Sequence, residues 1–331
     1  MNIENSFKAL VVDEITSGVF KRAIKTKSLD ELPDHELLVR VHYSSLNYKD
    51  ALSASGNKAI TRKYPHTPGI DAAGVVCQNR CDDFQPGDEV IVNGNGLGTT
   101  IPGGFGQYIR VPSAWAAKRP QTLSLRESMI YGVAGFTAAY SVLKLQAHIT
   151  PDQGAVLVTG ATGGVGSVAV GILKKEGYSV IAATGKPQEK EFLVKLGAAE
   201  VISSDELKKT ERALGPPRWM GVVDTVGGDI LATAIKNTAP NGAVTCCGNA
   251  AGPELSLTVY PFILRGVSLL GIDCVSCPAH VRKQLWNTLA DQWKLEDLEQ
   301  LVTEVGLEDL DTRIEKMLAG HVKGRTIVNM T

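Results

Sequence analysis

Three stretches of this sequence carry residue types and spacings suited to chemistry. The first is Gly160-Ala161-Thr162-Gly163-Gly164-Val165-Gly166, set between the apolar run Ala155-Val156-Leu157-Val158-Thr159 and a helical pattern from Ser167 to Glu176. A strand, a tight turn and a helix N-terminus together present backbone N–H groups and the positive end of a helix dipole, which suits a dinucleotide pyrophosphate. In that setting Gly160 suits the turn, Gly163 removes a Cβ where backbone approaches phosphate, and Gly166 lets the helix pack close to the strand. The second stretch follows the next strand pattern, Ser179–Ala183, and reads Thr184-Gly185-Lys186, with no carboxylate before Glu189. A site for NAD usually ends this strand with an acid that binds the ribose 2′-hydroxyl. A hydroxyl, a backbone amide and a cation suit a 2′-phosphate instead, so the sequence favours NADPH. Lys186 is equally an ordinary exposed lysine of a loop; the missing acid is the better evidence. The third stretch, Asn47-Tyr48-Lys49-Asp50, offers an amide, a phenol and a carboxylate within one turn.

The elements around these residues fall into two rhythms. Through about residue 120 the pattern is mostly strand (Phe7–Asp13, Glu36–Tyr43, Gly74–Cys77, Glu89–Val92, Gln107–Val111), punctuated by Gly and Pro. From about Leu125 helix and strand alternate, with strands expected at Ala155–Thr159, Ser179–Ala183, Glu200–Ile202, Gly221–Thr225, Ala243–Cys247 and Ser268–Ile272. That is the pattern of a doubly wound parallel sheet. A final helix, Leu310–Ala319, and strand, Arg325–Met330, are expected to return to the first domain. The domains expected are therefore residues 1–124 with 300–331, and residues 125–299.

Composition agrees with a globular protein of two domains: 331 residues, 44% hydrophobic and 21% charged, with 34 basic and 35 acidic residues. No basic excess points to nucleic acid or an anionic membrane. The N-terminal stretch Met1 to Lys8 lacks the apolar core of a signal peptide, and no apolar run is long enough to span a bilayer, so a cytoplasmic location is expected. The six cysteines are expected to be reduced thiols. Cys274 and Cys277 form a C-x-x-C pair, but no second pair lies at zinc-ribbon spacing.

A β-rich domain ahead of a Rossmann domain resembles the medium-chain dehydrogenase/reductase superfamily. Ser44-Ser45-Leu46-Asn47-Tyr48-Lys49-Asp50-Ala51-Leu52, Pro68-Gly69-Ile70-Asp71, Gly135-Phe136-Thr137-Ala138, the glycine turn with Val158-Thr159, and Val259–Val267 narrow the resemblance to its YhdH/YhfP branch. Members of that branch carry the names of quinone oxidoreductases and of NADPH-dependent acryloyl-CoA reductases. The resemblance implies an α/β fold, a GroES-like N-terminal domain plus a doubly wound Rossmann domain, and a homodimer formed through the edge strand Ser268–Ile272. Zinc-dependent members place a cysteine ligand where this chain has Asn47-Tyr48 and a histidine where it has Gly69-Ile70-Asp71. Their structural zinc loop would fall near residues 93–105, which contain no cysteine. No metal is expected.

Catalytic candidates on these matches are Asn47, Tyr48 and Asp50. Asn47 orients substrate or ribose, or caps the helix that follows. Tyr48 is a donor near the cofactor or a packed aromatic. Asp50 holds the loop or is a plain first-turn surface carboxylate. Asp71 is expected to buttress the cleft. The cofactor-binding residues expected are Tyr48, Thr162, Gly163, Gly164, Val165, Thr184, Gly185, Lys186, Gly248, Asn249, Ile263, Cys274 and Arg325; for Arg325 a surface role is an equal alternative. Without zinc, the chemistry that remains accessible is hydride transfer to a carbon–carbon double bond conjugated with a carbonyl, with enolate charge stabilised by hydrogen-bond donors. The expected substrate is acryloyl-CoA or a related short enoyl thioester. The alternatives are a quinone, or NADPH binding without turnover.

Overall fold

The computed structural model describes residues 4–208 and 212–331. The first three residues of the N-terminal stretch lie outside that range. The chain forms two compact units, Met1–Val133 with Val275–Asp291 and Asp297–Thr331, and Ala134–Cys274 with Gln292–Glu296. This division differs from the expected boundaries in residues 125–133, 275–291 and 297–299, all of which belong to the first unit; the largest difference is 275–291. Two hydrogen bonds explain the placement: in the helix Ala279–Ala290, Arg282 Nη1 donates to Asn93 O at 2.9 Å and Trp286 Nε1 to Asn93 Oδ1 at 3.3 Å.

The first unit is built on a seven-stranded sheet. In spatial order its strands are Val302–Gly306, Arg325–Asn329, Leu37–Leu46, Asp71–Gln78, Glu89–Asn93 and Ala116–Lys118, with Tyr108–Val111 also pairing Leu37–Leu46. The C-terminal strand does return to this unit, antiparallel to Leu37–Leu46, with Thr326 opposite Leu46 and Asn329 opposite Tyr43. An antiparallel hairpin, Ser6–Thr16 with Val19–Ser28, completes the strands. Val19–Ser28 carries four basic residues and no regular apolar alternation, which is why the sequence showed only its partner. Val39, Val41, Leu46, Val90, Val92, Ile109 and Val328 form the core of this unit. Each such side chain contributes roughly 1.5–3 kcal/mol by leaving water.

In the second unit six parallel strands lie in the order Glu200–Ser203, Val180–Thr184, Val156–Val158, Trp219–Asp224, Thr238–Cys246, Ser268–Gly271. Numbered along the chain within this sheet, that is 3-2-1-4-5-6, the doubly wound order in which the first and fourth strands flank the switch point. Ser268–Gly271 is an edge strand, as expected. Among the described residues, no helix is long and apolar enough to cross a membrane.

Candidate functional site

Part of the candidate set gathers at one place in each unit. In the first unit, Asn47 ends the strand Leu37–Leu46 and precedes the helix Tyr48–Ala54 in extended conformation (φ −116°, ψ 160°). Asp50, in the first turn, reaches back to accept from Asn47 N at 2.8 Å and Asn47 Nδ2 at 3.1 Å through Oδ2. Its Oδ1 accepts from Gly69 N at 3.1 Å and Ile70 N at 2.8 Å. Asp50 is therefore fully buried and clamps two loops together, which corrects the reading of a surface carboxylate. Burial, with the charge of Asp71 second, pushes its carboxyl up from 3.8 to about 7 against the hydrogen bonds that favour the ionised form.

Asp71 and Arg325 lie at the centre of the same cluster, and Ser45 joins them. Asp71 Oδ1 accepts from Ser45 N at 3.0 Å, and Oδ2 from Asn47 Nδ2 at 3.2 Å and Val133 N at 2.8 Å. Ser45 Oγ donates to Asp71 Oδ2 at 2.7 Å and accepts from Arg325 Nη2 at 2.6 Å. Arg325 Nη1 donates to Asn47 Oδ1 at 3.2 Å and Nε to Ile130 O at 2.8 Å. With 2% exposure, Arg325 has no surface role. Asn47 is likewise committed at both ends of its amide, so it orients its neighbours. Tyr48 differs: it is 48% exposed, and its hydroxyl makes no hydrogen bond within the described residues, so the packed-aromatic reading does not hold.

No local pattern marked what completes this cluster. The helix Leu125–Gln146 breaks at Gly132, where φ is +52° and ψ −157°. The break releases the Ile130 carbonyl to Arg325 and the Val133 amide to Asp71. A Cβ on Gly132 would lie 2.6 Å from Asp71 Oδ2 and 2.7 Å from both Arg325 Nη2 and Ser45 Oγ. Only glycine fits there, by backbone conformation and by space.

In the second unit Gly160 takes φ +58° and turns the chain out of the first strand. Gly163 caps the helix Gly164–Lys175, whose first N–H groups have no acceptor within the helix. A Cβ on Gly163 would meet only Gly160 O, at 3.2 Å, so the space beyond it is open. Thr162, Gly163, Gly164 and Val165 are thus arranged as a cradle that fits a pyrophosphate. Gly166 has a different neighbour from the one expected. Its missing Cβ lets the helix close on the turn itself, 2.7 Å from Ala161 Cα, because the glycine turn doubles back over the first helical residues.

The end of the second strand is also more engaged than expected. Thr184 is buried; its Oγ1 accepts from Lys186 N at 3.0 Å and lies 3.2 Å from Thr162 Oγ1. The threonine and the Lys186 amide therefore tie this loop to the glycine turn. The Lys186 side chain is half-buried, and its burial lowers the ammonium pKa, a cost that a bound dianion would relieve.

Asp224, absent from the expected site, is the organising residue of this unit. Its Oδ1 accepts from Thr159 Oγ1 at 2.7 Å and Oδ2 from Gly227 N at 2.8 Å. Its carbonyl accepts from Cys247 N at 3.0 Å. The buried Asp224 side chain thus joins the carboxyl ends of the first and fourth strands, and its backbone carbonyl ties in the fifth. Gly248 is required because a Cβ there would overlap the Thr225 carbonyl. Asn249 is exposed beside it and Cys274 is half-buried. Ile263 lies on the helix Tyr260–Arg265 with 67% exposure, among Val259, Tyr260 and Leu264, all exposed. Among the described residues, no group of three or more His, Cys, Asp or Glu could hold a metal ion.

Comparison with known proteins matches residues 33–121 to the alcohol dehydrogenase GroES-like domain and residues 164–291 to the zinc-binding dehydrogenase family. YhfP of Bacillus subtilis (strain 168), whose quinone oxidoreductase name is provisional, is 45% identical over 98% of this chain and 99% of its own. Its crystal structure with NAD bound has a TM-score of 0.95 at 43% identity, covering 98% of this chain and 100% of that one. Acrylyl-CoA reductase AcuI of Ruegeria pomeroyi is 42% identical over 98% of this chain and 99% of its own. The YhdH oxidoreductase of Salmonella enterica, solved in complex with NADP, has a TM-score of 0.95 at 39% identity, covering 98% of this chain and 100% of that one.

Two outcomes check this geometry. Gly132→Ala should lower stability by at least ~1–3 kcal/mol, the cost of a strained backbone, and more where the cluster must move aside; chemical denaturation measures it, and a loss below ~0.5 kcal/mol would contradict the tight fit. The Asp50 carboxyl is raised in the folded state, so the fold binds an extra proton between pH ~4 and ~7 and this contribution falls as pH rises through that window. Relative to Asp50→Asn, the wild type should therefore lose stability on going from pH 5 to pH 8; parallel curves would contradict the raised value.

Proposed function

The chain belongs to the medium-chain dehydrogenase/reductase superfamily, in its YhdH/YhfP branch of oxidoreductases, and from that premise we propose that it reduces the carbon–carbon double bond of a short α,β-unsaturated acyl thioester with NADPH and without a metal. The observation that carries this reading is the state of the Asn47–Asp71–Arg325 cluster. Both carboxylates there are saturated by N–H and O–H donors, and the residues at the ligand positions of zinc-dependent relatives are Asn47-Tyr48 and Ile70. A cluster of that kind orients a polar substrate; it has no free set of lone pairs for a Lewis acid.

The cofactor would be held by the second unit. The pyrophosphate fits the open side of Gly163 and the N–H groups of the helix that follows. The 2′-phosphate would meet the Lys186 ammonium, and no carboxylate stands at the end of the second strand to repel it. When bound, the nicotinamide supplies the hydride, which is delivered to the carbon β to the carbonyl; negative charge then develops on the carbonyl oxygen. The exposed phenol of Tyr48 is one group of the first unit that would be available to donate to that oxygen. Asn47, Asp50, Asp71 and Arg325 hold the loop that carries it. A proton from solvent or a side chain completes the product at the α-carbon. The acrylyl-CoA reductase name of AcuI supports the thioester; the name of YhfP supports a quinone, which is also a conjugated carbonyl, as the second reading. The exposed Val259, Tyr260, Ile263, Leu264 and Leu269, beside the free edge Ser268–Gly271, support association of two copies through that edge.

The reading predicts that purified protein converts acryloyl-CoA and NADPH to propionyl-CoA, identified by mass, with a larger kcat/KM than for 1,4-benzoquinone. A larger value for the quinone would reverse the order, and no turnover of either would leave a binder of NADPH. Lys186→Glu should weaken NADPH by ~10–100-fold, the worth of a charged hydrogen bond, with little effect on NADH; equal weakening in a binding titration removes Lys186 from the 2′-phosphate. Tyr48→Phe should lower kcat by ~100-fold or more with NADPH affinity unchanged; an unchanged kcat would remove the phenol from the chemistry.

A further inference from the structure

The cluster of the first unit has a neighbour that makes no use of its best donor. Asn93 ends the strand Glu89–Asn93 and pairs directly with Asp71 in the antiparallel ladder. Gly94 N donates to Ile70 O at 2.9 Å, one step outside this pair, so Asp71 and Asn93 are the close, non-hydrogen-bonded kind whose side chains stand nearest on one sheet face. Asp71 Oδ1 and Oδ2 are already occupied by Ser45, Asn47 and Val133.

Asn93 is 1% exposed, and its Nδ2 has no hydrogen-bond partner among the described residues. The amide cannot escape this by turning over. Its Oδ1 accepts from Trp286 Nε1 at 3.3 Å, and an indole nitrogen only donates. A flipped amide would set donor against donor. The backbone is held as well, since Arg282 Nη1 donates to Asn93 O at 2.9 Å. The result is a two-proton donor, fixed by a rigid strand and a helix, out of solvent, beside the cluster assigned to the substrate. A buried donor without an acceptor costs about 1–3 kcal/mol. Such a cost calls for an explanation, and a functional role is one of those that account for it.

We propose that Asn93 is a substrate-binding residue whose Nδ2 donates to the carbonyl oxygen of the conjugated substrate, and that Trp286 holds the amide in the orientation that does so. The inference rests on the proposed reduction of a conjugated carbonyl. In that reaction the carbonyl oxygen gains negative charge as hydride reaches the β-carbon, so a preoriented donor strengthens toward the transition state and the effect appears in kcat.

The test compares Asn93→Leu and Trp286→Phe with wild type, using acryloyl-CoA and 1,4-benzoquinone as substrates and a separate titration of NADPH. Asn93→Leu removes the donor; Trp286→Phe removes the same side chain–side chain bond but keeps the donor. The expected result is a ~100-fold fall in kcat for Asn93→Leu on whichever substrate the wild type reduces, with the Kd for NADPH within ~3-fold of wild type, and a much smaller fall for Trp286→Phe. Equal falls for the two variants would assign the effect to the lost Trp286 contact and overturn the donor role, as would an unchanged kcat in Asn93→Leu. Failure of the proposed function reads differently: the wild type would then reduce the quinone in preference to acryloyl-CoA, and the Asn93 comparison is made on the quinone.

Discussion

The first unit depends on a helix that breaks at one residue. Burying a carboxylate and a guanidinium costs several kcal/mol per ion unless hydrogen bonds replace the lost water. An unbroken helix has no backbone groups to offer, because each N–H and C=O is already paired along the axis. At Gly132 the ladder opens, and the two groups it frees meet the two charges that need them: the Val133 amide reaches Asp71 and the Ile130 carbonyl reaches Arg325. The absent Cβ at Gly132 leaves the space in which Ser45 Oγ bridges Asp71 and Arg325. Asp71 and Arg325 in turn fix the two ends of the Asn47 amide, and Asn47 with Asp50 fixes the turn from which Tyr48 projects.

The second unit solves a comparable problem with one residue, through its carboxylate and its backbone carbonyl. A parallel sheet leaves loops at the carboxyl ends of its strands, and those loops must hold their positions to within an ångström or so if they are to bind a phosphate. Asp224 joins three of them through Thr159, Gly227 and Cys247. Burial raises its carboxyl pKa, and the hydrogen bonds it receives oppose that rise. The same residue types recur in both units: a buried aspartate accepting from a hydroxyl and from a backbone amide, with a glycine where a side chain would intrude.

Much of this fold was legible in the sequence because its signals are local. The glycine turn was flanked by a five-residue apolar run and a helical pattern, and all six strands of the parallel sheet were visible as short apolar segments. Asn47 and Asp50 stood three residues apart at a strand-to-helix junction, where a carboxylate can fold back on the chain. The strand Val19–Ser28 was not legible, since its four basic residues leave no apolar alternation and its register is fixed by the partner strand. Nor was the assembly of the cluster. Nothing local distinguishes Gly132 from Gly135 three residues later, and Ser45, Asp71 and Arg325 meet only through strand pairings that join residues far apart in the chain. For Asp50 and Arg325 a surface role stood as an alternative for the same reason: their partners, backbone groups among them, lie on other segments, which no local pattern announces. The commitment of Thr184 to Thr162 and Lys186 was equally hidden, because it depends on the second strand lying beside the first.

The central claim is that a substrate carbonyl is polarised so that hydride from NADPH arrives at the carbon β to it. The most direct measurement is the position of deuterium in the product formed from acryloyl-CoA with NADPH carrying deuterium at the transferable C4 position. The account predicts propionyl-CoA with one deuterium at C3 and a solvent-derived hydrogen at C2. Deuterium at C2, or propionyl-CoA without deuterium, would contradict it.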